Sequence, residues 1–485
     1  MSLEQAFQYQ RRTVYSHAGA SGGAMDWSNK PTPYKTYPQA VQIPLPRDLT
    51  LPKAPARAVL KDQLAPPRRP LSLTALSNLL FMAYGFTSKV DYGPEVFLYR
   101  SAPSAGALYP VEIYLAARGI EGLADGLYHF SVIDFSLELL QAGVPEGLPA
   151  PALILTGIFF RSAWKYRDRA FRYCLLDAGH AAENFVLAGR TMGLNPLFTA
   201  EFDDRLINAG LNLDPAREAA LAVIRLDGEI ELPTSGEIPA FSPDRFPLAE
   251  ATAPHEQIFD LIAEAVRLTS TPLHRSAQPS PERSEGVIMT MPEPDWSGFE
   301  GPSLVGAMQN RRSRRNFTPK AVSREQLVKL LDLMQTSDPR RTPNLGFVSN
   351  HVADVPDGYY HCRERSHNLA CRRKGFFNPA LADAALSQDW LGRAMVTLVL
   401  TADLGRLEQE FGPRALRLAY LEAGRIGQRA YLAAEVLGWG CCGVGAFFDG
   451  DVVRILNLPE GEEPLYLIPV GPIKKRTHGG RPDPE

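Results

Sequence analysis

The sequence lacks the features that mark secreted, membrane-spanning and nucleic-acid-binding proteins. Its 485 residues include only five cysteines, an odd number and too few for a disulfide framework. No apolar run approaches the roughly 18 residues that cross a bilayer, and the first residues lack the apolar core of a signal peptide. Neither sign of charge dominates, since 51 Lys and Arg stand against 54 Asp and Glu. We therefore expect a cytoplasmic protein with no nucleic-acid or membrane partner.

What is present is the composition of a folded protein with several domains. Hydrophobic residues make up 45% and charged residues 22% of the chain, which excludes wholesale disorder. Proline content and weak periodicity predict an extended N-terminal arm over residues 1–60. A polar, Pro- and Ser-rich stretch predicts a linker with a short helical patch over residues 233–300. These segments would leave domains at residues 61–232 and 301–485.

The two predicted domains resemble each other. Four blocks recur in the same order: Pro70–Leu80 with Ala321–Leu331, Gly126–Phe130 with Gly358–Cys362, Tyr166–Leu194 with Phe411–Trp439, and Glu201–Leu213 with Phe447–Pro459. Matched blocks in one order favour an internal duplication over two unrelated α+β domains. The helical and strand-like periodicities within the blocks predict an α+β fold in each domain.

Two basic clusters in the second domain could bind a phosphate. Asn310–Phe317 reads NRRSRRNF, and guanidinium and hydroxyl groups bind phosphate through charge-assisted hydrogen bonds. A second cluster follows the final predicted strand. The candidate phosphate ligands are Arg311, Ser313, Arg315, Lys474, Lys475 and Arg476. A solvated basic surface is the alternative explanation for each cluster.

Two glycine-containing loops could approach a flat ligand with their backbones. Ala102–Pro110 reads APSAGALYP and follows Arg100, and Cys441–Phe447 reads CCGVGAF. Glycine permits close approach and offers an unobstructed backbone N–H group. The candidate contacts are Arg100, Pro103, Ser104, Ala105, Gly106, Gly443, Val444 and Gly445. An ordinary tight connection and a helix C-cap are the alternatives.

Lys165 and Tyr166 form a candidate acid–base pair. A cationic neighbour favours the phenolate form of a tyrosine and could make it a usable base. A surface charge run is the alternative.

Cysteine and histidine also recur between positions 351 and 371. The spacing of Cys362, His367 and Cys371, with His351 and His361 nearby, fits no zinc motif. The sequence therefore predicts no metal site.

Taken together, these motifs resemble the nitroreductase superfamily of FMN enzymes, and within it the SagB-type dehydrogenase branch that includes azoline oxidases of modified-peptide pathways. The segments that carry the resemblance are Asp26–Lys35, Tyr99–Leu115, Asp125–Phe130, Trp164–Ala188, Arg311–Phe317 and Gly443–Asp449. The resemblance implies two tandem nitroreductase-like domains that form an internal pseudo-dimer, with FMN between them. Whether pseudo-dimers associate further stays open.

The resemblance also implies roles for the candidate residues. The basic clusters would hold the FMN phosphate, the two loops would meet the ribityl chain and the ring, and Asp177 would reach the flavin from the N-terminal half. Lys165 and Tyr166 would be the catalytic pair.

The two halves differ where the family places its flavin contacts. Leu60, Asp62 and Leu64 stand opposite Arg311, Ser313 and Arg315, so the first half lacks the phosphate grip. In the second half, Pro343–Gly346 replaces the Pro-Ser loop, and Glu410 and Phe411 replace the Lys-Tyr pair. The intact parts are therefore divided between the halves and would meet at one site, which predicts one FMN in each chain.

Two activities are compatible with this resemblance. In the first, the protein dehydrogenates an azoline in a peptide by hydride transfer through flavin N5. In the second, NAD(P)H reduces the flavin, which then reduces a nitro compound or a quinone. A third possibility is a flavin-binding scaffold without turnover. The substrate is accordingly a small molecule or a peptide.

Overall fold

We describe the chain from a computed structural model. The structure describes residues 5–17, 25–64, 66–92, 95–226, 228, 242, 244–270, 287–335, 343–362 and 368–474. Within these ranges, no helix is both long enough and apolar enough to cross a membrane.

A seven-stranded antiparallel sheet forms the centre of the N-terminal domain. Its strand order is β1-β6-β5-β4-β7-β9-β8, and β2 and β3 form a separate hairpin. The strands are β1 (Val41–Pro44), β2 (Phe86–Tyr92), β3 (Glu95–Arg100), β4 (Val111–Ala117), β5 (Gly126–Ser131), β6 (Ser136–Ala142), β7 (Ala152–Ile158), β8 (Leu197–Thr199) and β9 (Glu218–Arg225). The helices are α1 (Gln5–Arg12), α2 (Ala56–Leu60), α3 (Leu73–Tyr84), α4 (Phe159–Tyr166), α5 (Ala170–Thr191) and α6 (Asp204–Gly210). Strands β4, β7 and β9 are buried along their whole length, as expected for the middle of a covered sheet.

The C-terminal domain repeats this arrangement. Its sheet has the order β10-β13-β12-β11-β14-β16-β15. The strands are β10 (Val287–Thr290), β11 (Asn344–Ser349), β12 (Gly358–Cys362), β13 (Asn368–Lys374), β14 (Val396–Asp403), β15 (Gly440–Cys441) and β16 (Glu462–Gly471). The helices are α7 (Asp260–Thr269), α8 (Leu304–Asn310), α9 (Arg324–Met334), α10 (Asn378–Ala384), α11 (Leu404–Phe411), α12 (Ala415–Leu437) and α13 (Asp449–Leu456). The predicted α+β class and its tandem organisation are confirmed.

The two long helices α5 and α12 cross at a pair of glycines. A Cβ atom on Gly179 would lie 2.1 Å from the carbonyl oxygen of Leu421, and one on Gly424 would lie 2.2 Å from that of Leu176. The backbones therefore touch, which only glycine permits at these positions. This crossing sets the two domains against each other and leaves one cleft on each side of it.

The N-terminal arm is not extended throughout, because it begins with helix α1. The first backbone N–H groups of this helix, those of Ala6 and Phe7, donate to the carboxylate of Glu408 at 3.1 and 3.0 Å. A carboxylate at a helix N-terminus satisfies orphan donors and complements the helix dipole. The cap comes from a residue about 400 positions away, so no local signal in the sequence announces it.

The segment expected as a linker also contributes to the fold. Helix α7 lies within it, in agreement with the predicted helical patch, and β10 adds an edge strand to the second sheet just as β1 does to the first. The division of the chain at residues 60, 232 and 300 stays a prediction.

Candidate functional site

One cavity between the two domains collects most of the residues that the sequence singled out. The predicted residues on its wall are Pro103, Ser104, Ala105, Gly106, Tyr166, Asp177, Ser313, Arg315, Gly443, Val444 and Gly445. Residues of the first domain and of the second line the same space. The structure thus brings together the parts that the comparison of the two halves assigned to one composite site.

The first loop of this site is held in an unusual backbone shape. Gly106, Ala107 and Tyr109 have φ angles of 62°, 52° and 45°, a region that residues with a Cβ atom rarely adopt. The Ser104 hydroxyl holds the turn, since it donates to Asp177 Oδ2 at 2.6 Å and accepts from the Tyr109 N–H at 2.9 Å. The backbone N–H of Ala105 also donates to Asp177, at 3.2 Å. Asp177 therefore positions this loop as well as lining the cavity.

Two predicted arginines brace the loop from behind. Arg311 donates to the backbone carbonyls of Ser101 at 2.7 Å and Arg100 at 3.0 Å. The guanidinium of Arg100 donates to the carbonyl of Pro33 at 2.6 Å and lies 4.7 Å from the ring centre of Tyr84. Both arginines are buried, and neither is on the cavity wall. Their role as direct cofactor ligands stays a prediction.

The basic loop of the second domain meets the end of strand β16. The backbone N–H of Lys474 donates to the carbonyl of Asn316 at 3.1 Å, and the Asn316 side-chain amide donates to the carbonyl of Lys474 at 3.2 Å. Ser313 and Arg315, in the same loop, face the cavity. The basic loop thus lies next to Lys474, the first residue of the second cluster. Lys475 and Arg476 lie outside the described residues.

Glycines of the second loop lie where no side chain would fit. A Cβ atom on Gly443 would lie 1.8 Å from the hydroxyl of Tyr466, and one on Gly445 would lie 2.5 Å from the ring of Tyr173. The backbone N–H of Gly443 donates to the hydroxyl of Tyr431 at 2.7 Å. This loop presents bare backbone to the cavity between tyrosine side chains.

The N-terminal domain fixes this loop from the other side. Arg169 and Tyr173 both donate to the carbonyl of Gly445, at 3.0 and 3.2 Å. Arg169 also pairs with Asp449 at 2.7 Å, and Arg172 pairs with the other oxygen of that carboxylate at 2.9 Å. These buried ion pairs tie the wall of the site across the domain boundary.

The pKa of Tyr166 in the predicted catalytic pair shifts in the direction opposite to our expectation. Burial and the charge of Asp177 raise the pKa of Tyr166. Burial and Arg315 lower the pKa of the Lys165 amine, whose nitrogen lies 5.4 Å from the centre of the Tyr166 ring. Tyr166 is therefore a phenol in this environment, able to donate a hydrogen bond, rather than a phenolate.

The sequence left a polar group on this wall unassigned. His180 lies one turn after Asp177 on α5, and burial lowers its pKa to about 3, so it is neutral. Its Nδ1 lies 3.1 Å from the side-chain oxygen of Gln428, and its Nε2 lies 3.1 Å from the hydroxyl of Tyr466. Because Gln428 Oε1 can only accept, Nδ1 donates to it and Nε2 accepts from Tyr466. The spacing from Asp177 placed His180 on the same helix face and was the available signal.

On the other side of the helix crossing, ion-paired side chains stand at the equivalent positions; we call this side the closed cleft and the first the open cleft. The repeat places Glu422 opposite Asp177 and Arg425 opposite His180. Arg425 pairs with Glu183 and Glu422, each at 2.9 Å, and its guanidinium lies 4.5 Å from the ring centre of Phe198. An ion-paired arginine thus stands at the position that the neutral His180 holds in the first cleft.

The other replacements in the second cleft are also engaged locally. Asp62, opposite Ser313, pairs with Arg190. Asn344 begins strand β11 and donates to Glu462 at 2.9 Å, so the segment that replaces the Pro-Ser loop is part of the sheet. Glu410 and Phe411 end helix α11.

The cysteine and histidine residues of the second domain do not form a cluster in the described part of the chain. Cys362 and Cys371 lie on the adjacent strands β12 and β13 and are free thiols. No group of three potential metal ligands occurs among the described residues, and His367 lies outside them.

Comparison with known proteins agrees with the two-domain organisation. The model of the nitroreductase family matches residues 68–228 and 308–472, which together exceed half of the chain. A nitroreductase relative from Methanocaldococcus jannaschii is 31% identical over 175 residues, which cover 33% of this chain and 83% of that protein. The trifolitoxin-processing protein TfxB of Rhizobium leguminosarum is 32% identical over 34% of this chain and 50% of its own length. The microcin B17-processing protein McbC of Escherichia coli is 30% identical over 33% of this chain and 63% of its own length.

A solved structure extends the likeness to almost the whole chain. The crystal structure of a protein described as a nitroreductase from Anabaena variabilis superposes with a TM-score of 0.79 at 26% identity. The superposition covers 97% of this chain and 99% of the other. Both domains and their mutual arrangement therefore have a counterpart in a known structure.

Proposed function

The chain belongs to the nitroreductase family and is an oxidoreductase by that membership; from this we propose that it uses FMN, bound once per chain in the cavity between its domains. The observation that carries the proposal is the convergence of the candidate loops and basic groups from both domains on one cavity. A planar ring with a phosphate tail requires bare backbone at one end and cationic or hydroxyl groups at the other.

The residues present suit such a ligand. Gly443 and Gly445 lie on the cavity wall, and neither has a side chain that would stand between its backbone and a flat ring. Ser313 and Arg315 supply donors on the same wall, and Lys474 lies in the adjoining segment. We assign the phosphate to these basic groups and the ring to the glycine loop.

A single site per chain follows from the contrast between the clefts. The second cleft has the ion-paired Glu422 and Arg425 in place of Asp177 and His180, and it has Asp62 in place of Ser313. A phosphate at that position would face a carboxylate rather than a hydroxyl donor.

When bound, FMN supplies a two-electron acceptor and donor at its ring nitrogen N5. Ser313, Arg315 and Lys474 would hold the phosphate, and Gly443–Gly445 would lie along the ring. Tyr166 offers a phenol hydroxyl to the substrate, and Lys165 beside it adds positive charge. Three further tyrosines, Tyr173, Tyr431 and Tyr466, line the same cavity.

For the substrate, we propose an azoline ring in a peptide, which loses two hydrogens to become an azole. The names of TfxB and McbC as peptide-processing proteins support this choice, as does the Lys-Tyr pair at the cavity. Reduction of nitro compounds or quinones by NAD(P)H is the second candidate. The names of the relatives from M. jannaschii and A. variabilis favour it.

The decisive first experiment is the ratio of flavin to protein after reconstitution with FMN. We expect about one FMN per chain from the single open cleft. About two would show that the second cleft also binds flavin and would contradict the one-site proposal. If no FMN is bound, the protein has no flavin-dependent function.

A second experiment separates the two substrates. Purified, FMN-loaded protein is incubated in air with a thiazoline-containing peptide, and in parallel with NADPH and menadione. Loss of two hydrogens from the peptide, measured by mass spectrometry, would support dehydrogenation. NADPH oxidation that depends on menadione, with no change in the peptide, would support the reductase instead. Tyr166→Phe should keep FMN and slow the supported reaction, and an unchanged rate would assign the Lys-Tyr pair a structural role.

A further inference from the structure

Asp177 differs from the other buried carboxylates in the described part of the chain. Ten Asp and Glu residues are buried there. Eight of them pair with a lysine, arginine or histidine: Glu112, Glu138, Glu183, Asp204, Glu218, Asp332, Glu422 and Asp449. Glu408 caps helix α1. Only Asp177 lines the cavity while having no basic side chain within ion-pair distance.

Its hydrogen bonds leave it able to take a proton. The Ser104 hydroxyl donates to Oδ2 at 2.6 Å, and the Ala105 N–H approaches both oxygens at 3.2 and 3.3 Å. A carboxylate accepts about four hydrogen bonds, so further lone pairs remain for a ligand in the cavity. Buried charge without a cation is costly, and natural proteins keep it mainly where it serves function.

The second cleft supplies a matched contrast. Glu422 occupies the position of Asp177 in the repeat, yet it pairs with Arg425 at 2.9 Å. An ion pair fixes a carboxylate in its charged form. The duplication thus left one carboxylate ion-paired in the closed cleft and the other without a cation in the open cleft.

We propose that Asp177 is a catalytic residue, the group that accepts and returns the proton of the redox reaction; this rests on the proposed flavin function. In dehydrogenation, a substrate C–H bond breaks and its electron pair and hydrogen pass to FMN as hydride, so that FMN is the oxidant. The proton from the adjacent atom of the substrate passes to a carboxylate oxygen of Asp177, and a carboxylic acid results. In quinone reduction, the acid returns that proton to the oxygen that gains the electrons.

The groups around Asp177 are consistent with this role. Burial raises its pKa to about 7, against the opposing hydrogen bonds of Ser104 and Ala105. A carboxyl group that titrates near neutral pH can both take and give a proton. His180 and Arg315 line the same cavity as Asp177. The charge of Asp177 raises the pKa of four further groups, which are Tyr84 from α3, Tyr166 from α4, Cys174 from its own helix and Tyr466 from β16. All four are therefore neutral near pH 7, and among these five groups Asp177 is the one that titrates there.

Asp177→Asn tests this assignment without removing the loop contacts. An amide oxygen still accepts from Ser104 and Ala105, so FMN content should match that of the wild type. Infrared difference spectra between about pH 6 and about pH 8 should show a protonated carboxyl band that disappears with rising pH in the wild type. That band should be missing in Asp177→Asn, with and without FMN.

Kinetics give the second readout. Photoreduced, FMN-loaded protein is mixed anaerobically with menadione over about pH 5 to 9. We expect the wild-type rate constant to fall about tenfold for each pH unit above the titration of Asp177, and Asp177→Asn to be at least about tenfold slower at low pH with no such inflection. Glu422→Gln is the matched control, with the wild-type profile.

The outcomes are distinguishable. Absence of FMN after reconstitution of the wild type would overturn the proposed function. Two outcomes with normal FMN content would overturn only the role of Asp177. One is that Asp177→Asn keeps the wild-type inflection, and the other is that the wild type shows no titrating carboxyl band. An Asp177→Asn protein that binds FMN and loses both the band and the inflection would support it.

Discussion

The two clefts of this molecule share their frame and differ in their contents. Asp449, the first residue of α13, pairs with Arg169 and Arg172 beside the open cleft. Asp204, the first residue of α6, pairs with Arg414 and Arg417 beside the closed one. Both sets are buried ion pairs that cross from one domain to the other. The ion pairs that frame each cleft are therefore complete on both sides. One site was lost without loss of the interface between the domains.

In the closed cleft, the side chains that would contact a ligand are replaced by side chains that pair with each other. In the closed cleft, Arg425 forms ion pairs with Glu183 and Glu422. Asp62 stands where a hydroxyl would meet phosphate and is neutralised by Arg190. A cleft that loses its ligand must satisfy its polar groups in another way, and here paired side chains do so.

The largest effect should come from breaking the shared frame. Asp449→Ala and Asp204→Ala each leave two buried arginines without their carboxylate, and each should cost about 3–5 kcal/mol in the free energy of unfolding. Only Asp449→Ala should also weaken FMN binding, because Arg169 holds the carbonyl of Gly445 in the open cleft. Denaturant unfolding and FMN titration of both variants measure the two effects. Equal loss of FMN affinity in the two would contradict the assignment of a single site.

The helix crossing should be nearly as sensitive. Gly179→Ala places a Cβ atom 2.1 Å from a backbone carbonyl and should cost about 3 kcal/mol, since overpacking of this kind forces the helices apart. Gly450→Ala is the matched control, because nothing lies within 4 Å of its added atom. Thermal unfolding compares the two. A Gly179→Ala protein as stable as the control would show that the crossing does not fix the domains.

Much of this architecture could be predicted from sequence because it rests on local periodicity and on repetition. Apolar spacing located helices α5 and α12, and the repeat register identified Lys165 and Tyr166 as belonging with the second domain's basic loop. The same reasoning missed the ion pairs of Arg425 in the closed cleft and the cap that Glu408 provides for helix α1. These depend on contacts between residues far apart in the chain, which a helix face or a motif does not reveal. The direction of the Tyr166 pKa was also missed, because burial outweighs a neighbouring cation.

The basic loop offers a test confined to one cleft. Ser313→Ala combined with Arg315→Ala removes two donors from the cavity wall and leaves the brace formed by Arg311 in place. We expect the Kd for FMN to rise about a hundredfold, which corresponds to about 2.7 kcal/mol. Fluorescence titration of the flavin-free protein measures it. Arg68→Ala combined with Arg69→Ala removes two positive charges from the segment before α3 in the first domain and should leave the Kd unchanged. An equal rise in Kd there would mean that net charge, rather than the loop, holds the phosphate.

The smallest expected effect concerns Asp177, the buried carboxylate by which the open cleft differs from the closed one. The pKa of Asp177 rises from 3.8 to about 7 in the folded protein, so between these values the folded state keeps a proton that the unfolded state has released. The stability of the flavin-free protein that comes from this group is therefore complete at low pH and is lost as the pH rises towards 7. Relative to the wild type, the free energy of unfolding of Asp177→Asn should gain about 2 kcal/mol between about pH 5 and pH 7 and change little above that. Glu422→Gln should show no such gain, because Glu422 is paired with Arg425 in the folded protein. Denaturant unfolding across this range measures both. A gain of the same size in the two variants would mean that the clefts do not differ in the charge state of this position, and the contrast between them would then rest on shape alone.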